Sequence, residues 1–302
     1  MSEETSDDAR RKVLKGAAVG LAAMASAGHS KAEASPAQGK AAVPLMDPGK
    51  LHTAGPFRSQ PQPWPGLASH MTPRPDHGEK TYRGSGRMAG RKALITGGDS
   101  GLGRATAIAF AREGADVAIS YLPQEEEDAR EVIQLIQAEG RKAVALPGDI
   151  RTEAFCQQLV TDAVSGLGGL DCLVNCAGRQ HYHESILDLT TEDFDWTLKT
   201  NLYALFWIIK AAIPNLTKSL AKQLVLKGIR INAVAPGPFW TALQVCGGQP
   251  MSAVEKFGST VPMKRPGQPA EIAPIYVQLA STDGSYITGQ VFGVTGGTGV
   301  PG

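Results

Sequence analysis

From Lys92 onward the chain alternates short apolar runs with longer amphipathic runs, and this order constrains the fold more than any other feature. Apolar runs without a polar face are typical of strands that helices cover on both sides of a parallel sheet. Helices between such strands return the chain to the starting edge of the sheet. The sequence therefore predicts a doubly wound parallel α/β sheet of the Rossmann type, with strands at KALIT, DVAISY, KAVALPGDI, LDCLVN, IRINAV and QVFGVTGG.

The segments between these strands carry helix start signals. EEEDAREVIQLIQAEG has carboxylates in its first turn, where they complement the helix dipole. TTED offers an N-cap to a long helix that starts near Thr191. The chain shows no internal repeat, so residues 91–302 are predicted to form a single domain.

A glycine-rich turn, TGGDSGLG, lies between the first predicted strand and its helix. Glycines let the backbone turn sharply and approach a pyrophosphate closely, and the helix N-terminus then presents N–H donors to the phosphates. The turn therefore predicts a dinucleotide site that includes Gly97, Ser100, Gly101, Leu102 and Gly103.

The spacing T-G-x-x-x-G-x-G resembles that of the short-chain dehydrogenase/reductase family, and further motifs follow in the order of that family. Asp149 and Ile150 resemble the pair that meets the adenine ring. NCAG, at residues 175–178, resembles the family's N-N-A-G with Cys in the second position. Asn201, in LKTNLYALF, matches the helix Asn that helps hold the catalytic Lys and a proton-relay water. Pro236, Gly237 and Thr241 resemble the loop beside the nicotinamide.

The resemblance covers about Gly90 to Gly297 and implies an NAD(P)-dependent oxidoreductase acting on a small alcohol or carbonyl. QPWPGL, MTPRPDHGE and YRGSGR before the domain resemble the bacterial general-stress-type subgroup. The family tends to form dimers and tetramers, so a homo-oligomer is expected. The resemblance assigns a catalytic role to Asn201 and cofactor contacts to Gly97, Ser100, Gly101, Leu102, Gly103, Tyr121, Asp149, Ile150, Asn175, Ala177, Gly178, Pro236, Gly237 and Thr241.

The choice between NAD and NADP depends on the end of the second strand. An acidic side chain there binds the ribose hydroxyls and favours NAD. The strand ends Ser120-Tyr121-Leu122, and no Arg follows at once to pair with a 2′-phosphate. Both cofactors stay open, with a slight preference for NAD.

The catalytic motif of the family is missing. Its Tyr acts as general acid or base and needs a Lys four residues on to lower a pKa of about 10. None of the six tyrosines has a Lys at that position, and the serine-bearing fifth strand is absent as well. KAAIP resembles the end of the fourth-strand helix, whereas NLTKSLAKQL resembles the helix after Tyr-x-x-x-Lys. About thirty residues are therefore expected to be missing near Ile213–Leu216, and aligning Lys210 with the family's Lys places Phe206 at the Tyr position.

This loss predicts a strained topology, because two returning helices follow each other without a strand between them. The joined helix, about residues 193–226, is expected either to overshoot the sheet or to break, with Pro214 as the expected place of the break. The strands on either side of the missing one must pair directly or leave a gap. Three functions stay open: an oxidoreductase, a dinucleotide-binding scaffold or partner subunit without turnover, and an internally deleted chain that folds poorly.

The N-terminus resembles an export signal. Arg10 and Arg11 precede a Gly/Ala-rich apolar run and small-residue sites such as Ala32-Glu33-Ala34. Residues 1–34 are therefore predicted to be a twin-arginine signal peptide for a periplasmic protein, and a disordered basic tail on a cytoplasmic protein is the alternative. Residues 35–90 are predicted to form a Pro/Gly-rich extended arm, either anchored by Trp64 and Tyr82 or a solvated linker.

Composition excludes several other classes. The net charge is +1 with both signs interspersed, which argues against a nucleic-acid surface. No apolar run is long enough to span a membrane, and four scattered cysteines do not indicate a disulfide framework. His181 and His183 form an H-x-H pair without a third ligand at suitable spacing, so they are interpreted as a surface loop and no metal is expected.

Overall fold

The structure, a computed structural model, describes residues 47–216 and 225–299. The predicted signal segment and the first part of the predicted arm lie outside these residues. The doubly wound parallel α/β fold expected from the sequence is confirmed. The elements are β1 Lys92–Thr96, α1 Gly101–Arg112, β2 Asp116–Tyr121, α2 Glu126–Ala138, β3 Ala143–Pro147, α3 Glu153–Leu167, β4 Cys172–Asn175, α4 Thr191–Leu198, α5 Ala204–Leu216, β5 Ala233–Pro236, α6 Met251–Val254, α7 Pro269–Ala280 and β6 Val291–Val294.

The parallel strands are divided between two sheets. One sheet has the order β3-β2-β1-β4, and the other pairs β5 with β6. The register places Ile95 beside Ile119 and Val174 in the first sheet, and Val234 beside Phe292 in the second. Within the described residues β4 and β5 share no hydrogen-bonded ladder. Of the two arrangements expected around the missing strand, the structure has the gap.

The helical region before the join differs from the expectation. α4 and α5 are linked by a π-helical turn at Lys199–Tyr203. α5 is helical to Leu216, so the expectation that Pro214 ends this helix is wrong. The interruption of regular α-helical geometry lies instead at the π turn, a feature that often marks functional sites. Most of the second helix expected after the join, residues 217–224, lies outside the described residues.

Alternating side chains of the first sheet form two cores. Ile95 and Ile119 face α1 and α7, where the alanines of α1 allow close approach of the helix. Leu94 and Ala118 face α3 and α5 on the other side. Because successive strand residues point to opposite faces, a run that is apolar throughout fills both cores.

Residues 47–90 pack along the domain. The Phe57 ring stacks on the Trp240 ring at 4.0 Å, and the Trp240 Nε1 donates to the Pro73 carbonyl at 2.8 Å. Further along, the buried Glu113 carboxylate accepts hydrogen bonds from the Tyr82 hydroxyl and the Arg87 guanidinium. These contacts attach the segment both to the loop after β5 and to the end of α1.

Among the described residues, no helix is both long and apolar enough to cross a bilayer.

Candidate cofactor and substrate site

The glycine-rich turn has a backbone conformation and close contacts that a residue with a Cβ atom would not fit. Gly97 and Gly101 have φ values of 63° and 53°. A Cβ on Gly97 would lie 2.9 Å from the Ala177 Cα, and one on Gly103 would lie 2.0 Å from the Gly97 carbonyl oxygen. Ser100 caps α1 in an extended conformation without a side-chain hydrogen bond to the helix, and Leu102 follows in the first turn. The start of α1 therefore directs backbone N–H groups to the space above the turn.

The NCAG segment lies directly beside this turn. The Thr96 Oγ1 accepts hydrogen bonds from the backbone N–H groups of Cys176 and Ala177, both at 3.2 Å. The Asn175 Oδ1 is buried and has no hydrogen-bond partner among the described residues. A buried acceptor without a donor usually indicates a site that a ligand or water completes.

Asn201 lies in the π turn between α4 and α5 and binds the loop that follows NCAG. Its Oδ1 accepts from the Arg179 N–H and its Nδ2 donates to the Arg179 carbonyl, each at 2.7 Å. Gly178 is also close, since a Cβ there would lie 3.6 Å from the Asn201 Oδ1. Asn201 therefore fixes the backbone of this loop, and its side-chain amide is already used in doing so.

The three residues expected beside the nicotinamide follow β5. Thr241 is buried, and its Cγ2 lies 3.3 Å from the position of a Cβ on Gly101. Pro236 ends β5, and the Gly237 N–H donates to the Val294 carbonyl at 2.9 Å. The structure thus brings Thr241 to the glycine turn and places Pro236 and Gly237 on the second sheet.

The residues expected near the adenosine lie at the ends of β2 and β3. The Tyr121 hydroxyl donates to Glu126 at 2.7 Å, and Ile150 is buried. Burial raises the pKa of Asp149, but hydrogen bonds from Arg151 outweigh this and lower the pKa overall. The Asp149 carboxylate is thus ionised and turned toward Arg151, which leaves its backbone for contact with a base.

Two carboxyl groups at this end of the site were not recognised from the sequence. Asp99, within the glycine turn, is fully buried, and its Oδ2 has no partner among the described residues. Burial raises the pKa of Asp99, and burial together with the charge of Asp99 raises the pKa of Glu125. The available signal was the position of Glu125, about twenty residues beyond the glycine turn, where Rossmann proteins place the acidic residue that binds ribose.

A cavity of about 410 Å³ opens next to Asn201. It is lined by the loop after β4 and by α4, including Arg179, His183 and Asp193. The Arg179 guanidinium lies 4.5 Å from the centre of the Trp196 ring and 5.8 Å from that of the Trp64 ring. Trp64, from the segment before the domain, therefore lies near this cavity.

Phe206 and Lys210, which have the spacing of a Tyr-x-x-x-Lys pair, are not among the residues that line this cavity. Phe206 is 61% exposed. The Lys210 Nζ pairs with the Glu153 Oε1 of α3 at 3.1 Å. Among the described tyrosines, Tyr276 lies near the glycine turn, with its hydroxyl 3.8 Å from the Cys176 Sγ, but burial raises its pKa. None of these groups offers a proton relay near neutral pH.

The glycine turn, the adjoining loop and the parallel sheet together define a Rossmann-type dinucleotide-binding oxidoreductase domain. A sequence profile of short chain dehydrogenases matches residues 91–216, and a second profile, described as enoyl-(acyl carrier protein) reductase, matches residues 206–299. The chain belongs to the short-chain dehydrogenase/reductase family. Residues 206–216 are matched by both profiles, which agrees with their resemblance to two different helices.

Several relatives align with this chain over nearly the whole of their own length. The oxidoreductase YghA of Escherichia coli (strain K12) is 50% identical over 287 residues, 84% of this chain and 98% of the relative. General stress protein 39 of Bacillus subtilis (strain 168) is 43% identical, covering 77% of this chain and 93% of the relative, which supports the predicted subgroup. The alignment has 287 positions, but it includes only 84% of the 302 residues of this chain, or about 254. About thirty residues of YghA are therefore aligned with gaps in this chain. Their location stays a prediction.

Solved structures show the same fold. A short chain dehydrogenase from Burkholderia cenocepacia J2315 in complex with NADP is 28% identical with a TM-score of 0.60, covering 70% of this chain and 98% of that chain. A dehydrogenase/reductase from Sinorhizobium meliloti 1021 is 30% identical with a TM-score of 0.62, covering 70% and 96%.

Proposed function

We propose that the chain binds a nicotinamide dinucleotide as a short-chain oxidoreductase domain but turns over its alcohol or carbonyl substrate inefficiently. The bound dinucleotide supplies hydride chemistry. The coupled proton transfer requires a titratable group of the protein beside the substrate. The observation that carries this proposal is that the sequence has no Tyr-x-x-x-Lys, while Lys210, the one lysine that could be aligned with the family's Lys, pairs with Glu153 on α3.

The residues of the site fit a dinucleotide. Gly97 and Gly103 leave room for close approach to the backbone, and α1 begins with unpaired N–H donors suited to phosphates. The orphaned Asn175 Oδ1 adds an acceptor beside the same turn. Asn201 and Thr241 hold the two loops that border it. The NADP complex of the Burkholderia relative supports the same site here.

NAD is the proposed cofactor in preference to NADP. Asp99 and Glu125 lie close enough for the charge of one to raise the pKa of the other. A ribose diol can pair with these carboxyl groups in either protonation state, whereas a 2′-phosphate would bring a charge into a site where burial already disfavours charge. Glu125→Gln is expected to reduce the preference for NAD, which competitive titration with NADP would measure. An unchanged ratio of the two affinities would remove Glu125 from cofactor selection.

A matched pair of glycine substitutions tests dinucleotide binding. Gly97 and Gly140 have nearly the same positive φ, 63° and 69°, but a Cβ on Gly140 meets nothing within 4 Å. Gly97→Ala is expected to weaken NADH binding at least tenfold in a fluorescence titration. Gly140→Ala is expected to leave it unchanged, although both variants incur a backbone cost of about 1 kcal/mol.

The titration also separates the three functions. Saturable NADH binding without turnover of an alcohol and carbonyl panel supports the proposal. Turnover that Gly97→Ala abolishes would show that the domain is an active oxidoreductase and that the proton relay has been misidentified. Absence of binding together with poor solubility would support the internally deleted chain.

Export through the twin-arginine route and assembly into dimers or tetramers also belong to this proposal. Fractionation of cells that produce the full chain tests export. Periplasmic recovery that is lost in Arg10→Lys/Arg11→Lys supports a signal, and purely cytoplasmic recovery rejects it. Light scattering of the purified protein measures the oligomeric state, and a monomer mass would contradict the expected assembly.

A further inference from the structure

His181, His183 and Asp193 converge at the rim of the cavity beside Asn201. The His181 Nδ1 lies 2.7 Å from the Asp193 Oδ2, and the His183 Nε2 contacts the same oxygen. One donor atom from each residue lies within 4.8 Å of the others, and no other described group of His, Cys, Asp or Glu meets this criterion. We propose that this cluster is a binding site for a divalent transition-metal ion, with Zn²⁺ as the reference ligand.

The third donor was missed in the sequence because it belongs to another element. The expectation that the two histidines have no suitably placed third ligand is wrong. They lie in the loop after β4, whereas Asp193 lies in the first turn of α4, where the Thr190 side chain caps its backbone N–H. Folding of α4 against the loop turns a sequence separation of ten or more residues into direct contact.

The hydrogen-bonding pattern at the cluster favours a cation. The His181 Nδ1 is 3.2 Å from the Arg179 Nη2, which can only donate, and 2.7 Å from the Asp193 Oδ2, which as a carboxylate can only accept. If the Nδ1 carries a proton, it can donate to the carboxylate, but its N–H then faces the N–H of the guanidinium. If the Nδ1 carries no proton, it can accept from the guanidinium, but its lone pair then faces the carboxylate oxygen. A metal ion ligated by both the Nδ1 and the Oδ2 takes up both lone pairs, and its binding moves the two atoms apart from 2.7 Å to about 3.3 Å, as bonds of about 2.0–2.2 Å to a tetrahedral ion require.

The carboxylate is prepared for ligation. The side chains of His183, His181 and Arg179 all contact the Asp193 carboxylate, whose side chain is only 14% exposed. Arg179 binds the Oδ1, so the Oδ2 stays directed toward the histidines. An outer-shell contact of this kind commonly orients a ligating carboxylate. The positive charge of Arg179 also opposes the metal, so binding is expected to be weaker than at a closed structural site.

The donor set identifies the class of ion. Two imidazoles and one carboxylate suit Zn²⁺ and its neighbours in the first transition row better than Mg²⁺ or Ca²⁺, which prefer oxygen ligands. The His181 side chain is 45% exposed, and the cavity borders the cluster. A fourth position is therefore open to water or to an oxygen of a small molecule in the cavity.

Titration of the tag-free, chelator-treated full-length protein with Zn²⁺ by calorimetry tests the site. One ion per chain is expected to bind, and Asp193→Asn or His183→Gln is expected to weaken binding at least tenfold. His70→Gln is the matched control, because the His70 Nε2 also lies near a carboxylate, 3.6 Å from the Glu127 Oε1, without a third donor. Its affinity is expected to equal that of the unsubstituted chain.

The visible absorption of bound Co²⁺ gives a second measurement of ligation, which is needed if a variant loses Zn²⁺ affinity only because it is less stable. Ligation by nitrogen and oxygen in a low-coordinate site gives visible bands that the aqueous ion lacks. These bands are expected in the unsubstituted chain and in His70→Gln, and their loss is expected in His181→Asn, whose side chain is the most exposed of the three. The site would be overturned if the Asp193 and His183 variants bound Zn²⁺ as tightly as the unsubstituted chain does. It would also be overturned if the unsubstituted chain bound no Zn²⁺ at a 100-fold excess of the ion.

Discussion

The two halves of the domain handle the same kind of sequence differently. β2 of the first sheet lies between β1 and β3, and Val117, Ala118 and Ile119 are fully buried. In the second sheet β5 and β6 pair with each other, and Val291 is 61% exposed. Both regions have the apolar strands of a doubly wound fold, but only in the first region are the side chains of the strands buried by neighbouring elements.

This difference shows that an apolar strand is buried by its neighbours and not by its own sequence. Within the described residues no strand joins the second sheet to β4. Apolar side chains on the preceding helical segment, such as Leu202 and Phe206, are also more than half exposed. Exposed apolar surface and open strand edges favour association with other chains. The second half is therefore the part most prone to aggregation.

Contacts outside the sheets still connect the halves. α7, from the second half, packs its Ala273 and Val277 against the core of the first sheet. The segment before the domain adds the stacking of Phe57 on Trp240 and the ion pair of Arg87 with Glu113.

Filling the gap should have the largest effect on the comparison. In this variant, the residues of the Escherichia coli relative that have no counterpart in this chain are inserted at the predicted join, between Ile213 and Leu216. The inserted strand and Tyr-x-x-x-Lys are expected to raise NAD-dependent turnover by at least about 100-fold, since acid–base catalysis contributes about 10²–10⁴. The assay is NADH absorbance with a panel of alcohols and carbonyls. The same insertion with its Tyr replaced by Phe is the control, and equal turnover of the two would contradict the assignment.

Removal of the Glu113 carboxylate tests the attachment of the segment before the domain to α1. Glu113→Gln leaves Arg87 without its buried partner and is expected to destabilise the protein by about 3–5 kcal/mol in urea unfolding. Glu139→Gln, at a more exposed pair with Arg112, is expected to cost less than about 1 kcal/mol.

The same carboxylate predicts a pH dependence. Burial raises the pKa of Glu113, but hydrogen bonds from Arg87 and Tyr82 outweigh this and lower it from 4.5 to about 2. A lowered folded-state pKa stabilises the protein fully above the unfolded value, and the contribution is lost as the pH falls from about 4.5 to about 2. Acid unfolding of Glu113→Gln should lack this component, and identical acid profiles would exclude it.

A pair of valine truncations compares the two sheets directly. Val117→Ala, at a fully buried position of β2, is expected to cost about 2 kcal/mol. Val291→Ala, at the exposed position of β6, is expected to cost less than about 0.5 kcal/mol. Both free energies come from urea unfolding. Equal losses would mean that the second sheet is covered in solution, most simply by another copy of the chain.

The smallest effect is expected from restoring a tyrosine without its surroundings. Phe206→Tyr creates the spacing of the catalytic pair with Lys210, but both side chains lie on the solvent and α3 side of the helix. No turnover above the background of the unsubstituted chain is expected in the NADH assay. A clear gain would show that this helix rotates toward the cavity when cofactor binds.

The sequence predicted β1 and β2 with their observed bounds, and it predicted the glycine turn, because these features depend on local pattern and on backbone geometry. That a strand is missing between β4 and β5 stays a prediction. The sequence was wrong about Pro214, since a proline within a helix interrupts hydrogen bonding without necessarily ending the helix. The burial of Asp99 beside Glu125 was missed because residues far apart in sequence meet only after the loops fold.

The sequence by itself determined the family, the parallel fold and the nucleotide turn, since apolar periodicity and glycine spacing are properties of neighbouring residues. Tertiary structure alone decided that the sheet divides instead of closing its gap, that Lys210 turns to Glu153, and that Asp193 joins two histidines. These outcomes depend on which distant surfaces come into contact, and contact energies between distant residues are not encoded in any single local pattern.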